Sequence, residues 1–326
     1  MDIWSYLIVP FAWIMQLCMK LLNNYALALL AYALITKLVL FPLSMRQQKN
    51  SLNMVRLRPY QDALRKKYGN NQEKYNMELQ KLYQREGYNP MSSCLPLLIQ
   101  LPLIFLVYSI VRHPITYVYY GELFTANTAQ RVYDLALKAQ GLPEAVQKVV
   151  DAITADPGKL SQISNYELQI YNASSEISIA GDKLFGLIDL SGTPSQDIWS
   201  WMLLIPILAG VTGYLASWIS QKFNSLMQDP AQQNGCSGKM MIYMMPLMTV
   251  YFCFTFNCAL GWYWIIGNIL GVAQSFILHK IYDPKKVLAE VEAKMAREKE
   301  QKKEKRSAAA AKKAAAIAAS KNKKKK

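Results

Sequence analysis

Side chains that bind metals, carry electrons or attack carbonyl groups are scarce in this chain. Its 326 residues include two histidines, His113 and His279, and neither lies near a cysteine or carboxylate cluster, so no zinc or haem site is expected. The five cysteines, Cys18, Cys94, Cys236, Cys253 and Cys258, show no C-x-x-C spacing and fall within or beside apolar runs. They read as small apolar packing residues. A P-loop, a nucleophile elbow and a dinucleotide-binding glycine pattern are all missing. The expectation is a protein with no catalytic residue, no cofactor, no metal and no small-molecule substrate, and not an enzyme.

Acid is also in short supply, with 22 Asp and Glu against 37 Lys and Arg and a formal charge of +15. The charges gather in blocks, and long apolar runs lie between the blocks. A bilayer core is crossed by about 20 predominantly apolar helical residues, because backbone groups in lipid must be satisfied internally. Five stretches meet that demand: residues 25–43, 94–112, 199–220, 240–257 and 258–279. The fourth and fifth are separated only at Asn257, which predicts a hairpin. The predicted fold is an all-α membrane protein with five transmembrane helices.

Residues 1–24 are apolar too, but Asp2, Pro10, Gln16 and Lys20 do not suit a secretory signal. Trp4, Tyr6 and Trp13 favour the membrane–water boundary, so this stretch is predicted as an interfacial amphipathic helix. Orientation follows from the connections, since Lys and Arg accumulate on the cytoplasmic side. Residues 44–93 hold ten basic and four acidic side chains, 113–198 five and ten, 221–239 two and one, and 280–326 seventeen and six. Five spans then place the N-terminus and the acidic segment 113–198 outside, and the C-terminus in the cytoplasm.

The segment 44–93 reads as a cytoplasmic helical hairpin. Leu57, Tyr60, Leu64 and Tyr68 recur at helical spacing, Gly69-Asn70-Asn71 turns, and Tyr75, Leu79 and Leu82 resume the period. Pro59 argues for starting the regular part of the first helix near that residue. In the acidic segment, Leu142-Pro143-Glu144 opens a helix with Val146, Val149, Val150 and Ile153 on its inner face. Asn172-Ala173-Ser174 matches the glycosylation pattern and is assigned no function. Asp283-Pro284 starts a last helix that runs into Ala- and Lys-rich repeats from Ser307 to Lys326. That basic tail (280–326) cannot bury a core and is expected to be mobile, with an anionic partner: ribosomal RNA or acidic lipids.

The run Asn89-Pro90-Met91-Ser92-Ser93-Cys94-Leu95-Pro96-Leu97-Leu98-Ile99-Gln100-Leu101-Pro102 resembles the most distinctive stretch of the YidC, Oxa and Albino membrane protein insertases. Residues 34–43 resemble the end of that family's first conserved span. Asp189-Leu190-Ser191 followed by residues 204–212 resembles the approach to its third, and Met245-Pro246 with residues 260–268 resembles the closing hairpin. The acidic segment departs from the family in being much longer. Neither the family's large outer domain nor a lipoprotein-type signal is recognised here. The resemblance implies a protein of the bacterial inner membrane that admits nascent membrane proteins through a hydrophilic groove open to cytoplasm and lipid, alone or beside the Sec translocon.

Client-groove candidates follow from the same alignment and from polarity inside the spans. Lys37 matches the family's groove position, which is usually Arg; the alternative is a lysine that snorkels to cytoplasmic water. Gln100, Ser217, Tyr263, Trp264 and Asn268 are polar or amphipathic positions on the other spans, with Gln274 beside them. Ser217 lies near a groove glutamine of the family and Trp264 matches a groove aromatic, while each of the six also suits plain helix-to-helix bonding. Met240, Met241, Met244, Met245 and Met248 suit either varied client surfaces or core filling. Two rival readings remain, a small transporter or channel built on Lys37 and a ribosome-tethering adaptor built on the tail. Against transport, the sequence shows no inverted repeat and no second intramembrane charge.

Overall fold

The computed structural model describes residues 3–88, 95–120, 126–174, 179, 181–224 and 236–323. Almost all of this is helical, and the only strands among the described residues form one two-stranded hairpin. The chain divides into two compact units. One comprises residues 1–47, 93–223 and 230–278, the other residues 48–92, 224–229 and 279–326.

In the first unit, α1 (Ile3–Leu22) turns through Asn23 into α2 (Tyr25–Tyr68). Asn23 has a left-handed φ of 44°, a conformation asparagine tolerates. The Asn24 side chain caps α2 by accepting the Leu27 N–H at 3.0 Å. On α1, Ile8, Ala12, Met15 and Cys18 are buried along one stripe while Trp13, Leu17 and Leu21 are exposed. Four more apolar helices follow: α4 (Leu95–Arg112), α8 (Leu204–Asn224), α9 (Cys236–Thr255) and α10 (Cys258–Ile281).

Their outward faces identify the solvent. Leu27, Leu30, Leu34 and Leu38 on α2 are exposed at helical spacing, as are Ile207, Val211, Tyr214 and Trp218 on α8 and Met244, Leu247, Met248 and Tyr251 on α9. Such stripes are untenable in water and natural against lipid chains. Three helices, those containing α2, α8 and α10, are long and apolar enough to cross a membrane. The protein is an all-α, multi-pass membrane protein. In α4 and α9 the apolar stretches among the described residues, Pro102–Arg112 and Pro246–Thr255, are shorter than that.

The helices approach closely at small residues. A Cβ on Gly210 would stand 2.5 Å from Val250 Cγ2, and one on Gly261 would stand 2.3 Å from Ile205 Cγ2, so α8 lies hard against both α9 and α10. The turn between α9 and α10 is held by Asn257. Its Oδ1 accepts the Leu260 N–H at 3.4 Å as a helix cap, and its Nδ2 donates to the Val111 carbonyl at the end of α4, 3.3 Å away. Cys18, Cys253 and Cys258 are buried as free thiols, in keeping with a packing role.

The acidic segment is a packed helical subdomain continuous with this core. It contains a π-helical turn (Pro114–Tyr120), α5 (Ala126–Lys138), α6 (Glu144–Ala155), a 3-10 stretch (Pro157–Tyr166), α7 (Glu167–Ala173), the hairpin β1 (Lys183–Leu184) and β2 (Ile188–Asp189), and a 3-10 turn (Trp201–Leu203). α6 starts after Pro143 and buries Val146, Val150 and Ile153, with Val149 partly buried against the core. Glu167 is fully buried, its carboxylate accepting from the Thr116 N–H and hydroxyl.

In the second unit the end of α2 and α3 (Gln72–Arg85) form an antiparallel hairpin. Gly69 is required at the turn, because a Cβ there would stand 2.5 Å from the Arg65 carbonyl. Asn71 caps α3 through the Lys74 N–H at 3.0 Å. Leu57, Tyr75, Leu79, Leu82, Met54 and Tyr83 form the core, flanked by Tyr60, Leu64 and Tyr68. One expectation is corrected here. α2 passes Pro42 and Pro59 without a break, so the first hairpin helix does not begin near Pro59. Each proline removes one backbone bond, and the remaining bonds of a 44-residue helix carry it through. N-terminal to that stripe, Leu52 and Val55 pack against Tyr282, Val287 and Leu288 at the start of α11 (Pro284–Lys323). Asp283 caps α11 through the Lys285 N–H at 3.0 Å. The Ala- and Lys-rich tract is helical to Lys323, alanine and lysine being strong helix formers.

Candidate functional site

Lys37 sits among apolar neighbours on α2, half-buried, with Leu38 and Val39 exposed beside it. Its amine points at α10, where a Cβ on Gly271 would stand 3.9 Å from Nζ. No carboxylate or hydrogen-bond acceptor is paired with it among the described residues. Glycine at 271 leaves room above the amine that any larger side chain would occupy. A charge held this way inside a span is costly, and such residues ordinarily face a bundle interior or a water-filled cavity.

α10 supplies the opposite wall. Trp264, Asn268 and Gly271 recur at spacings of four and three, so they share one stripe of the helix. Each meets a different neighbour. The Trp264 ring lies 6.3 Å from that of Phe252 on α9, Asn268 Nδ2 donates to Thr212 Oγ1 on α8 at 3.2 Å, and Gly271 faces Lys37 on α2. The stripe therefore looks into the region bounded by α2, α8 and α9. Thr212 spends its own proton on backbone carbonyls, with Leu208 O at 2.7 Å, which leaves its oxygen lone pairs for Asn268.

Register places the other candidates. α8 and α10 run parallel, Ile205 beside Gly261 and Gly213 beside Asn268, where a Cβ on Gly213 would meet Asn268 Nδ2 at 3.5 Å. Ser217 lies one turn beyond Gly213 on the same face, level with the turn containing Gly271, and is half-buried. Tyr263 points away from the stripe. It is buried, its ring 6.2 Å from that of Tyr32, and its hydroxyl pairs with Thr36, the residue before Lys37. Gln100 is carried by α4, but its side chain lies outside the described residues, as do those of Met240, Met241 and Met245.

The structure thus gathers Lys37, Trp264 and Asn268 around one region, sets Ser217 at the depth of Lys37, and assigns Tyr263 to packing behind them. Thr212 and Gly271 escaped sequence reasoning. The stripe spacing on α10 and the small polar run Gly210-Val211-Thr212-Gly213 were the signals that could have found them. Asp189-Leu190-Ser191 also gains a physical role. The Asp189 carboxylate accepts from the Ser191 N–H at 2.8 Å and the Ser191 hydroxyl at 2.6 Å, fixing a turn whose Leu190 and Gly192 carbonyls accept the Ala259 and Cys258 N–H groups at the start of α10.

A family model described as the 60Kd inner membrane protein matches residues 17–286. Among curated relatives, the chain is 26% identical over 276 residues to a protein of Chlorobium limicola named membrane protein insertase YidC, covering 84% of this chain and 36% of the relative. Its identity to the protein of that name from Treponema denticola is 28% over 268 residues, covering 82% and 36%. To membrane protein insertase YidC 1 of Halalkalibacterium halodurans it is 26% over 297 residues, covering 89% and 84%. The chain spans about a third of the length of the first two relatives and most of the third. With the match running from α1 through the start of α11, across every helix that bounds the Lys37 region, the chain belongs to the 60Kd inner membrane protein family.

Proposed function

We propose that the protein is a membrane protein insertase of the bacterial inner membrane. A client helix enters from the cytoplasm along the region bounded by α2, α8, α9 and α10 and leaves sideways into lipid. The observation that carries this reading is the Lys37 amine, without an ionic partner among the described residues and facing a glycine across that region. A hydrated concavity lowers the cost of carrying polar client segments partway in, while lateral opening lets apolar helices partition out. Lys37, Trp264, Asn268 and Ser217 line it, Tyr263 backs it, and Gln100, carried by α4, is the sixth client-groove candidate.

In this reading α2, α4, α8, α9 and α10 are five spans, with the N-terminus and residues 113–198 outside and the basic segments in the cytoplasm. α1 lies along the membrane surface. The clients are nascent membrane proteins, delivered by the ribosome alone or with the Sec translocon, and the basic tail binds ribosomal RNA or acidic lipids. No covalent step is involved.

The test is reconstitution of the purified full chain in liposomes with a single-span client. Protease protection of the client's translocated tail is expected. Solute flux without client insertion would replace this reading with a transporter.

A further inference from the structure

The acidic segment and the turn that leads from it into α8 display large apolar side chains that nothing in the described chain covers. Phe185 is 82% exposed and Leu187 63% exposed at the tip of the β1–β2 hairpin, and Trp199 is 98% and Trp201 60% exposed just before α8. The tip conformation is itself unfavourable. Phe185 has a φ of 55°, in the left-handed region that bulky residues rarely adopt, and Gly186 follows at 72°. A loop that stayed in water would gain nothing from holding a phenylalanine there.

Contacts fix where this surface lies on the bundle. β2 packs against the turn Trp201–Leu203, which leads directly into α8, and a Cβ on Gly192 would stand 2.4 Å from Met202 Sδ. The Gly192 and Leu190 carbonyls accept the Cys258 and Ala259 N–H groups at 2.9 and 2.7 Å, and the Ser195 N–H donates to the Phe254 carbonyl at 3.1 Å. Residues 183–203 therefore form a collar at the Asn257 end of the membrane helices. From Trp201 the exposed apolar surface continues without interruption onto the lipid-facing side of α8 through Leu204, Ile207 and Leu208.

We infer that the hairpin tip Phe185–Leu187, together with Trp199 and Trp201, is a lipid-binding surface seated in the membrane–water interface at the Asn257 end of the bundle. Continuity with the lipid-facing side of α8 selects phospholipid over a protein partner. Aromatic rings are favoured at that depth, and the exposed Lys183 at the hairpin's root is placed to reach headgroup phosphates while its stem stays along apolar surface. The surface braces the start of α10 against the bilayer through the collar, so it steadies one end of the helix that carries Trp264, Asn268 and Gly271. It does not depend on what the protein transports.

The test places a photoreactive benzoylphenylalanine at position 185, 187 or 137 of the full chain in phospholipid liposomes, followed by illumination and mass spectrometry of adducts. Leu137 is the control, an exposed apolar residue on α5 remote in sequence from the collar. Lipid adducts at 185 and 187 should exceed those at 137 several-fold. Adducts at 185 only to a second copy of the chain, or lipid labelling no greater than at 137, would overturn the inference. All three substitutions replace exposed side chains, and each variant is compared only after it elutes as the native species.

Discussion

A charged side chain near the middle of a span costs about 2.5 to 3.5 kcal/mol on insertion scales, and Lys37 has no partner among the described residues to offset it. Lys37→Arg should therefore keep insertion activity, since it keeps the charge with a comparable reach. Lys37→Ala and Lys37→Glu should lower it several-fold, most for clients with acidic translocated tails, as read by protease protection in liposomes. A second residue carries its own titration. Burial pushes the Glu167 carboxyl up to about 7 against the opposing pull of its Thr116 bonds. The unfolded segment loses this proton near the ordinary carboxylate value while the folded one retains it, so stability should fall as pH rises from about 4.5 to about 7. His113 works in the opposite sense, its burial favouring the neutral ring, so acid weakens the fold there. The difference between the protein and Glu167→Gln isolates the carboxyl: the variant's unfolding midpoint in detergent should lose the decline between pH 5 and 7. Polarity inside an apolar run made Lys37 and Asn268 legible in the sequence. Gly271 and Thr212 were not, because a glycine's value lies in the side chain it makes room for, and Thr212 gains its role only from the helix it faces.

Among elements, α2 departs most from its sequence reading. Apolar spacing foretold the stripe of Leu57 and Leu64 against Tyr75, Leu79 and Leu82, since both helices repeat at 3.6 residues and the turn at Gly69 is short. Proline misled at Pro59, because the rule counts one lost hydrogen bond and not the length of helix that spans the loss. The packing of Leu52 and Val55 on Tyr282, Val287 and Leu288 joins partners far apart in the chain, which no local pattern reveals. Replacing residues 56–84 with a polar linker of matched charge removes the hairpin and leaves Leu52 and Val55 in place. That variant should still fold and insert, as judged by its thermal transition and membrane extraction, yet fail to insert clients; full activity would remove the hairpin from the mechanism. For the tail, ribosome co-sedimentation should fall steeply with added salt, because each Lys–phosphate contact releases counterions. Deleting residues 289–326 should weaken insertion without abolishing it.

At the scale of the molecule, composition and charge blocks were enough to identify an all-α membrane protein, since lipid leaves the backbone few alternatives. The acidic segment was the least legible part. Its helices bury Ile115, Val132, Val150, Ile163 and Ile170 in a core shared with the spans, and its hairpin follows from turn geometry at Phe185 and Gly186 that side-chain patterns do not encode. In the insertase reading, water reaches Lys37 along a groove open to the cytoplasm. The most direct test is Lys37→Cys in sealed vesicles of known orientation, treated with a water-soluble maleimide from each side in turn, with the parent protein as the background. Labelling at position 37 from the face that carries the basic segments, and not from the other, is the predicted result. A cysteine inert from both sides, together with normal insertion of every client by Lys37→Leu, would show a lysine snorkelling to the surface and contradict the account.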